Sequence, residues 1–100
     1  MIFEWDEEKE YTNFIKHGVH FEDAKNIFRD PRRIERIDKD SSDYEDRWQT
    51  IGFYDDMLFV VYTERGDVTR IISARLAKPH ERRIYGNSEE YPFGWSRANT

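Results

Sequence analysis

The sequence predicts an α+β domain, an antiparallel twisted sheet with two N-terminal helices on one face, in the order β-α-α-β-β-β-α. Three observations predict it. Apolar residues recur at helical spacing up to Pro31 and at period two beyond it. Two apolar runs, 57–63 and 68–76, flank Glu64-Arg65-Gly66-Asp67, a hairpin turn signal in which Gly66 is free to take a positive φ. Finally, 22 Leu, Ile, Val and Phe residues and 16 aromatics in a chain of 100 supply one thin core, and are too costly to leave in water.

Each element has a local cause. Ile2-Phe3-Glu4-Trp5 alternates briefly and starts a strand. Asp6 is an N-cap, and Glu7 and Glu8 suit the positive end of a helix over about 6–17. Tyr11, Phe14 and Ile15 share its apolar stripe, and Gly18 after Lys16-His17 stops it. A second helix spans about 22–29, with Phe21, Ala24, Ile27 and Phe28 on one face and Pro31 beyond its end. Trp5, Phe14, Phe21 and Phe28 are assigned to the core. Residues 33–38 read as a broken strand and 39–43 as a polar loop, so the meander has three or four strands. Trp48–Tyr54, Met57–Thr63 (the most apolar run) and Val68–Leu76 are its main strands. Pro79 opens a closing helix over 79–85, ahead of Gly86-Asn87. The domain is thus expected over 1–86. The tail, 87–100, has three aromatics without periodicity and is expected to be irregular and outside the core.

Composition excludes several functions. With no Cys there are no disulfides, thiolate metal sites or cysteine nucleophiles. No apolar run approaches the ~18 residues of a membrane span, and Met1 leads into Ile-Phe-Glu-Trp-Asp, unlike a signal sequence, so a cytoplasmic protein with no membrane partner is expected. A net charge of −5 opposes general affinity for nucleic acid. The charge is uneven, however: between 65 and 83 six basic residues face two acidic ones. Such a strip suits a focused anionic ligand, or equally a solvated face with ordinary ion pairs. His17 and His20 stand three apart near Glu22, but Gly18 breaks the helix that would align them on a metal, and none is expected.

Several stretches in order resemble one family: Phe3-Glu4-Trp5-Asp6-Glu7-Glu8-Lys9, Asn13-Phe14-Ile15-Lys16-His17-Gly18-Val19, Phe21-Glu22-Asp23-Ala24, Phe28-Arg29-Asp30-Pro31, Tyr62-Thr63-Glu64-Arg65, Arg70-Ile71-Ile72-Ser73-Ala74-Arg75 and Glu81-Arg82-Arg83-Ile84-Tyr85. Together they resemble the BrnT toxins of bacterial type II toxin–antitoxin systems, small ribonucleases with a RelE-like fold. The resemblance implies an endoribonuclease that arrests growth. It also implies a BrnA-like ribbon-helix-helix antitoxin that neutralises the toxin and, as a complex with it, represses the operon, so that operator DNA is contacted only through the antitoxin. The sequence departs from the family at two places. Ser41-Ser42 stands where the family often has His-Ser ahead of the residues matching Glu45 and Arg47, and the tail passes the usual end.

Metal-free RNA cleavage needs a base for the attacking 2′-OH, cations for the charge on phosphorus, and an acid for the leaving 5′-oxygen. Arg75 is the first choice of cation, since arginine grips two phosphate oxygens and keeps its charge. In Ile71-Ser73-Arg75 it shares a strand face with a small polar residue; pairing with Glu81 or Glu64 is the competing reading. Arg65 and Arg70 are further cations. Glu64 or Glu81 serves as a base or orients an arginine, and Tyr85 or His17 supplies a proton. Lys16, Arg70, Lys78, Arg82 and Arg83 are assigned to RNA binding. The antitoxin is expected to lie across the Arg65–Arg83 strip, burying about 800 Å² or more per partner. An inactive RelE-like corepressor is the alternative function, while a protein reading DNA unaided is poorly supported, because 22–29 carries Glu22 and Asp23 against Lys25 and Arg29 and is not a basic recognition helix.

Overall fold

The computed structural model describes residues 1–39, 46–87 and 90–98. Strand β1 (Ile2–Glu4) leads into α1 (Glu7–His17), then α2 (Phe21–Ala24) continues as a 3₁₀ turn over Lys25–Arg29. Strands β2 (Ile34–Ile37), β3 (Trp48–Tyr54), β4 (Asp56–Arg65) and β5 (Val68–Leu76) form an antiparallel meander, followed by α3 (Pro79–Gly86) and β6 (Ser96–Arg97). The local signals act as expected. Asp6 Oδ1 accepts from the Glu8 and Lys9 amides at 2.9 and 3.1 Å, and Gly18 ends α1 at φ 72°. The second helix tightens into a 3₁₀ turn where it crosses β3, and a Cβ on Gly52 there would lie 3.0 Å from Ile27 Cβ.

Three expectations about the sheet are corrected. It has six strands in the order β1-β5-β4-β3-β2-β6, and it is mixed: β1 runs parallel to β5, pairing Ile2–Glu4 with Val68–Arg70. The two helices carry the chain from β1 across the sheet to β2, and β5, the last strand of the meander, returns beside β1 in the same sense. The broken 33–38 segment is a complete strand in mid-sheet. The tail, finally, is not wholly irregular: β6 pairs with β2 and Trp95 is buried at 5 % exposure. Phe93 and Gly94 make the turn that aims Trp95 at the sheet, both at positive φ.

Each face of the sheet carries its own core. Phe21, Ala24, Ile27 and Phe28 cover Leu58, Val60, Tyr62, Ile71 and Ala74 on one face. On the other, Ile34, Ile51, Phe59 and Trp95 pack with Ile84 and Tyr85 of α3. Phe14 is corrected here, because the stripe of Tyr11, Phe14 and Ile15 faces outward at 66, 38 and 67 % exposure. The opposite side of α1 meets the sheet through a polar residue. β1 is too short to pair with β5 beyond Arg70, and the Asn13 amide does so instead, taking the Ala74 N–H at 3.1 Å and giving to the Ala74 carbonyl at 2.8 Å. It also gives to the Val19 carbonyl at 3.0 Å. Asn13→Ala would leave these buried groups unpaired; unfolding in urea should show a loss of about 2–4 kcal/mol.

Candidate functional site

Arg75 is held on three sides. Its guanidinium lies 4.2 Å from the centre of the Phe59 ring, a cation over an aromatic face. Nη1 and Nη2 donate to the two oxygens of Glu81 at 2.8 and 2.9 Å, and Nη1 also donates to the Leu76 carbonyl at 3.2 Å. Three of the five N–H donors are thereby used. The remaining two, on Nε and Nη2, form the side fork, which meets no partner among the described residues and matches two oxygens of a phosphate. The pairing with Glu81, one of the two sequence readings, is therefore real, yet it leaves the side fork open.

Glu81 is an orienting group. Burial alone would raise its carboxyl, but hydrogen bonds from Arg75 and the Lys78 amide, with the Arg75 and His80 charges, outweigh this and hold it below the usual range. An ionised carboxylate with both oxygens on one arginine is a poor base. Its place in the first turn of α3 fixes both helix and guanidinium, because the Lys78 amide donates to Oε1 at 2.7 Å.

His17 stands at the end of α1, half-buried, and its pKa is lowered from 6.5 by that burial, then by the charges of Lys16 and Arg75. His17 also lines two clefts. One, of about 390 Å³, runs between α1 and the edge of β5 past Lys9, Thr12, Asn13, Lys16 and Ser73. The other, of about 370 Å³, lies between the end of α1 and the β3–β4 turn, past Asn26, Tyr54 and Leu76. Lys9 was missed by sequence reasoning. The signal was there: Lys9 and Lys16 are seven apart, two helical turns on the face that Asn13 turns to the sheet.

Other expected members lie elsewhere. Arg65 pairs in register with Val68 and Arg75 with Phe59, so Arg65 and Glu64 are roughly 20 Å of strand from Arg75, at the opposite end of the sheet. Arg70 binds Glu4 at 2.7 Å near that same end. A bulge between Val61 and Tyr62 breaks the alternation in β5: Ile71 joins the helical core, while Arg75 stands on Phe59 across the sheet. Tyr85 is unsuited to giving a proton. Its hydroxyl donates to Asp30 Oδ2 at 2.6 Å, and burial together with that carboxylate pushes its pKa up to about 12. Lys78, Arg82 and Arg83 are exposed on α3 next to the Arg75–Glu81 pair. Ser41, Ser42 and Glu45 lie outside the described residues. His20 bonds Glu10 at 2.8 Å and stacks on Phe14, and among the described residues no group of three His, Asp or Glu is placed to hold a metal ion. Nor, among these residues, is any helix long and apolar enough to cross a membrane.

The family model for "Ribonuclease toxin, BrnT, of type II toxin-antitoxin system" matches residues 5–81. Among solved structures the chain is similar to the crystal structure of the Brucella abortus ribonuclease toxin, BrnT. The two share 26% identity and a TM-score of 0.59 over 78% of this chain and 99% of that one. No curated protein matches.

Proposed function

Since this chain belongs to the BrnT family of ribonuclease toxins of type II toxin–antitoxin systems, and so has an antitoxin as partner, we propose that it is a metal-independent endoribonuclease with a RelE-like domain. It cleaves cellular RNA in the cytoplasm and so inhibits translation and growth. The observation that carries this reading is the open side fork of Arg75, anchored by Glu81.

The division of labour follows from the chemistry. Neutral His17 takes the 2′-OH proton as that oxygen bonds to phosphorus, and the bond to the 5′-oxygen breaks as that oxygen takes a proton from water. Arg75 receives the charge that develops on the non-bridging oxygens, in a site already organised for it. Lys9 and Lys16 flank the groove as phosphate contacts, and Lys78, Arg82 and Arg83 extend the cationic surface over α3. Arg65, Glu64 and Arg70 are too distant to take part, and Arg65→Ala should leave cleavage within about threefold, because charges this far apart are screened. A BrnA-like ribbon-helix-helix antitoxin covers the Arg75 and α3 end of the cationic strip, and the complex represses its operon with the antitoxin contacting DNA.

Cleavage of an RNA oligonucleotide in chelator tests the reading. The expected products end in 2′,3′-cyclic phosphate and 5′-hydroxyl. Products with 5′-phosphate ends, or loss of activity with the chelator, would overturn it. Absence of any cleavage or growth arrest on induced expression would leave the inactive corepressor instead.

A further inference from the structure

The family match ends at residue 81, yet residues of the tail beyond it reach the ring on which Arg75 rests. Trp95 packs edge-to-face against Phe59 with ring centres 6.3 Å apart and planes at 76°, and the Arg75 guanidinium lies over that same ring. Glu81 fixes the end of the guanidinium, but its height and tilt depend on the Phe59 plane. We propose that residues 90–97 form a positioning arm for Arg75, in which Trp95 locks the Phe59 ring and thereby aims the open fork. The proposal rests on the reading of Arg75 as the phosphate-binding cation.

The arm is anchored at several points. Ser96 and Arg97 pair with Glu35 and Ile34, and the Ala98 amide donates to the Arg33 carbonyl at 2.9 Å. Arg36 lies over the Trp95 ring, 4.6 Å from its centre, and donates to the Phe93 carbonyl at 3.0 Å and to Gln49 Oε1 at 2.8 Å. Arg97 donates twice to the Tyr91 hydroxyl at 3.2 Å. The indole N–H of Trp95, by contrast, is buried with no hydrogen-bond partner among the described residues. A segment that only covered apolar surface would be served as well by leucine, which buries no orphaned donor. What tryptophan adds at this place is a rigid ring set on edge against Phe59. Trp95 touches no reacting atom; it acts through Phe59 and is a positioning residue.

The test compares Trp95→Leu and Trp95→Phe in the full chain, each with Arg75 intact and with Arg75→Ala, measuring single-turnover cleavage with enzyme in excess. Trp95→Leu should lower the cleavage rate about tenfold with RNA affinity within about twofold, and Trp95→Phe should restore most of the rate. With Arg75→Ala, Trp95→Leu should change nothing further, since the arm has no guanidinium left to aim. An equal fold loss in both backgrounds, or an unchanged rate with Arg75 present, would overturn the proposal. Should Trp95→Leu fail to fold, Arg36→Gln loosens the arm from outside the core, and the Arg75 Nε–H resonance reports its effect directly. That resonance should shift or broaden in Arg36→Gln, and an unmoved signal counts against the arm. The underlying reading fails separately, if Arg75→Ala alone cleaves like the parent.

Discussion

Arg75→Ala is expected to lower kcat/KM for RNA cleavage by about two to three orders of magnitude, the loss of ~3–4 kcal/mol that follows removal of one preorganised charge-stabilising donor. Arg75→Lys should recover only part of it, because an ammonium cannot offer two parallel donors while also holding Glu81. The substitution has a second effect that must be separated from the first. Glu81 is 7 % exposed, and without Arg75 its carboxylate would be buried with only His80, 3.9 Å away, to offset it. Adding Glu81→Gln should therefore restore much of the lost melting temperature and none of the activity. A well-folded double variant that cleaves RNA would remove Arg75 from the chemistry. The pair also sets an acid limit. Because the folded state holds the Glu81 carboxyl low, its contribution is complete above the ordinary value of 4.5 and is lost as pH falls through the lower folded value.

His17→Ala should cost about 10²–10⁴-fold in rate, the span of a missing general base. Its pH profile is more diagnostic than its size. The pKa of His17 is lowered from 6.5, so the neutral base dominates at pH 7, and activity should fall only on acidification below about 6.5. Lys16→Gln removes one of the two positive charges that depress it, and the acid limb of kcat/KM should move upward in pH. A limb that stays in place would show that some other group titrates. The same lowering means that protonating His17 favours the unfolded chain, so stability should also weaken as pH falls below 6.5.

Part of this site was legible in the chain. Arg75, His17 and Lys16 stand in short motifs whose residue types suit an anionic ligand, and Glu81 was already one of two partners weighed for Arg75. Arg65 and Glu64 look like neighbours of Arg75 in the sequence, yet the hairpin that its turn signal predicts carries them away from it. Adjacent strands put their shared turn at one end of the sheet, and β5 runs through seven further residues before reaching Arg75 at the other end. Tyr85 was a proton donor only as long as Asp30, 55 positions away, had not been brought to its hydroxyl.

By itself the sequence determined what depends on neighbours along the chain. The Asp6 cap, the Gly18 stop, the Gly66 turn, the period-two strands and the length of α3 all follow from local sterics and hydrogen bonding. Only the tertiary structure decided which sides those elements turn inward. The Tyr11–Phe14–Ile15 stripe looks like a core face, but α1 lies against the open edge of β5, where unpaired backbone groups need the Asn13 amide more than an apolar contact. A single extra residue in β5 moves Ile71 and Arg75 to opposite faces, and no periodicity within the strand announces it. Trp95 sits in a stretch with no pattern of its own, and its burial depends on Phe59 and Arg36, brought to it from strands 36 and 59 residues away. Local chemistry sets the form of each element, whereas burial and the pairing of distant polar groups choose its orientation, and the grip on Arg75 depends on that choice.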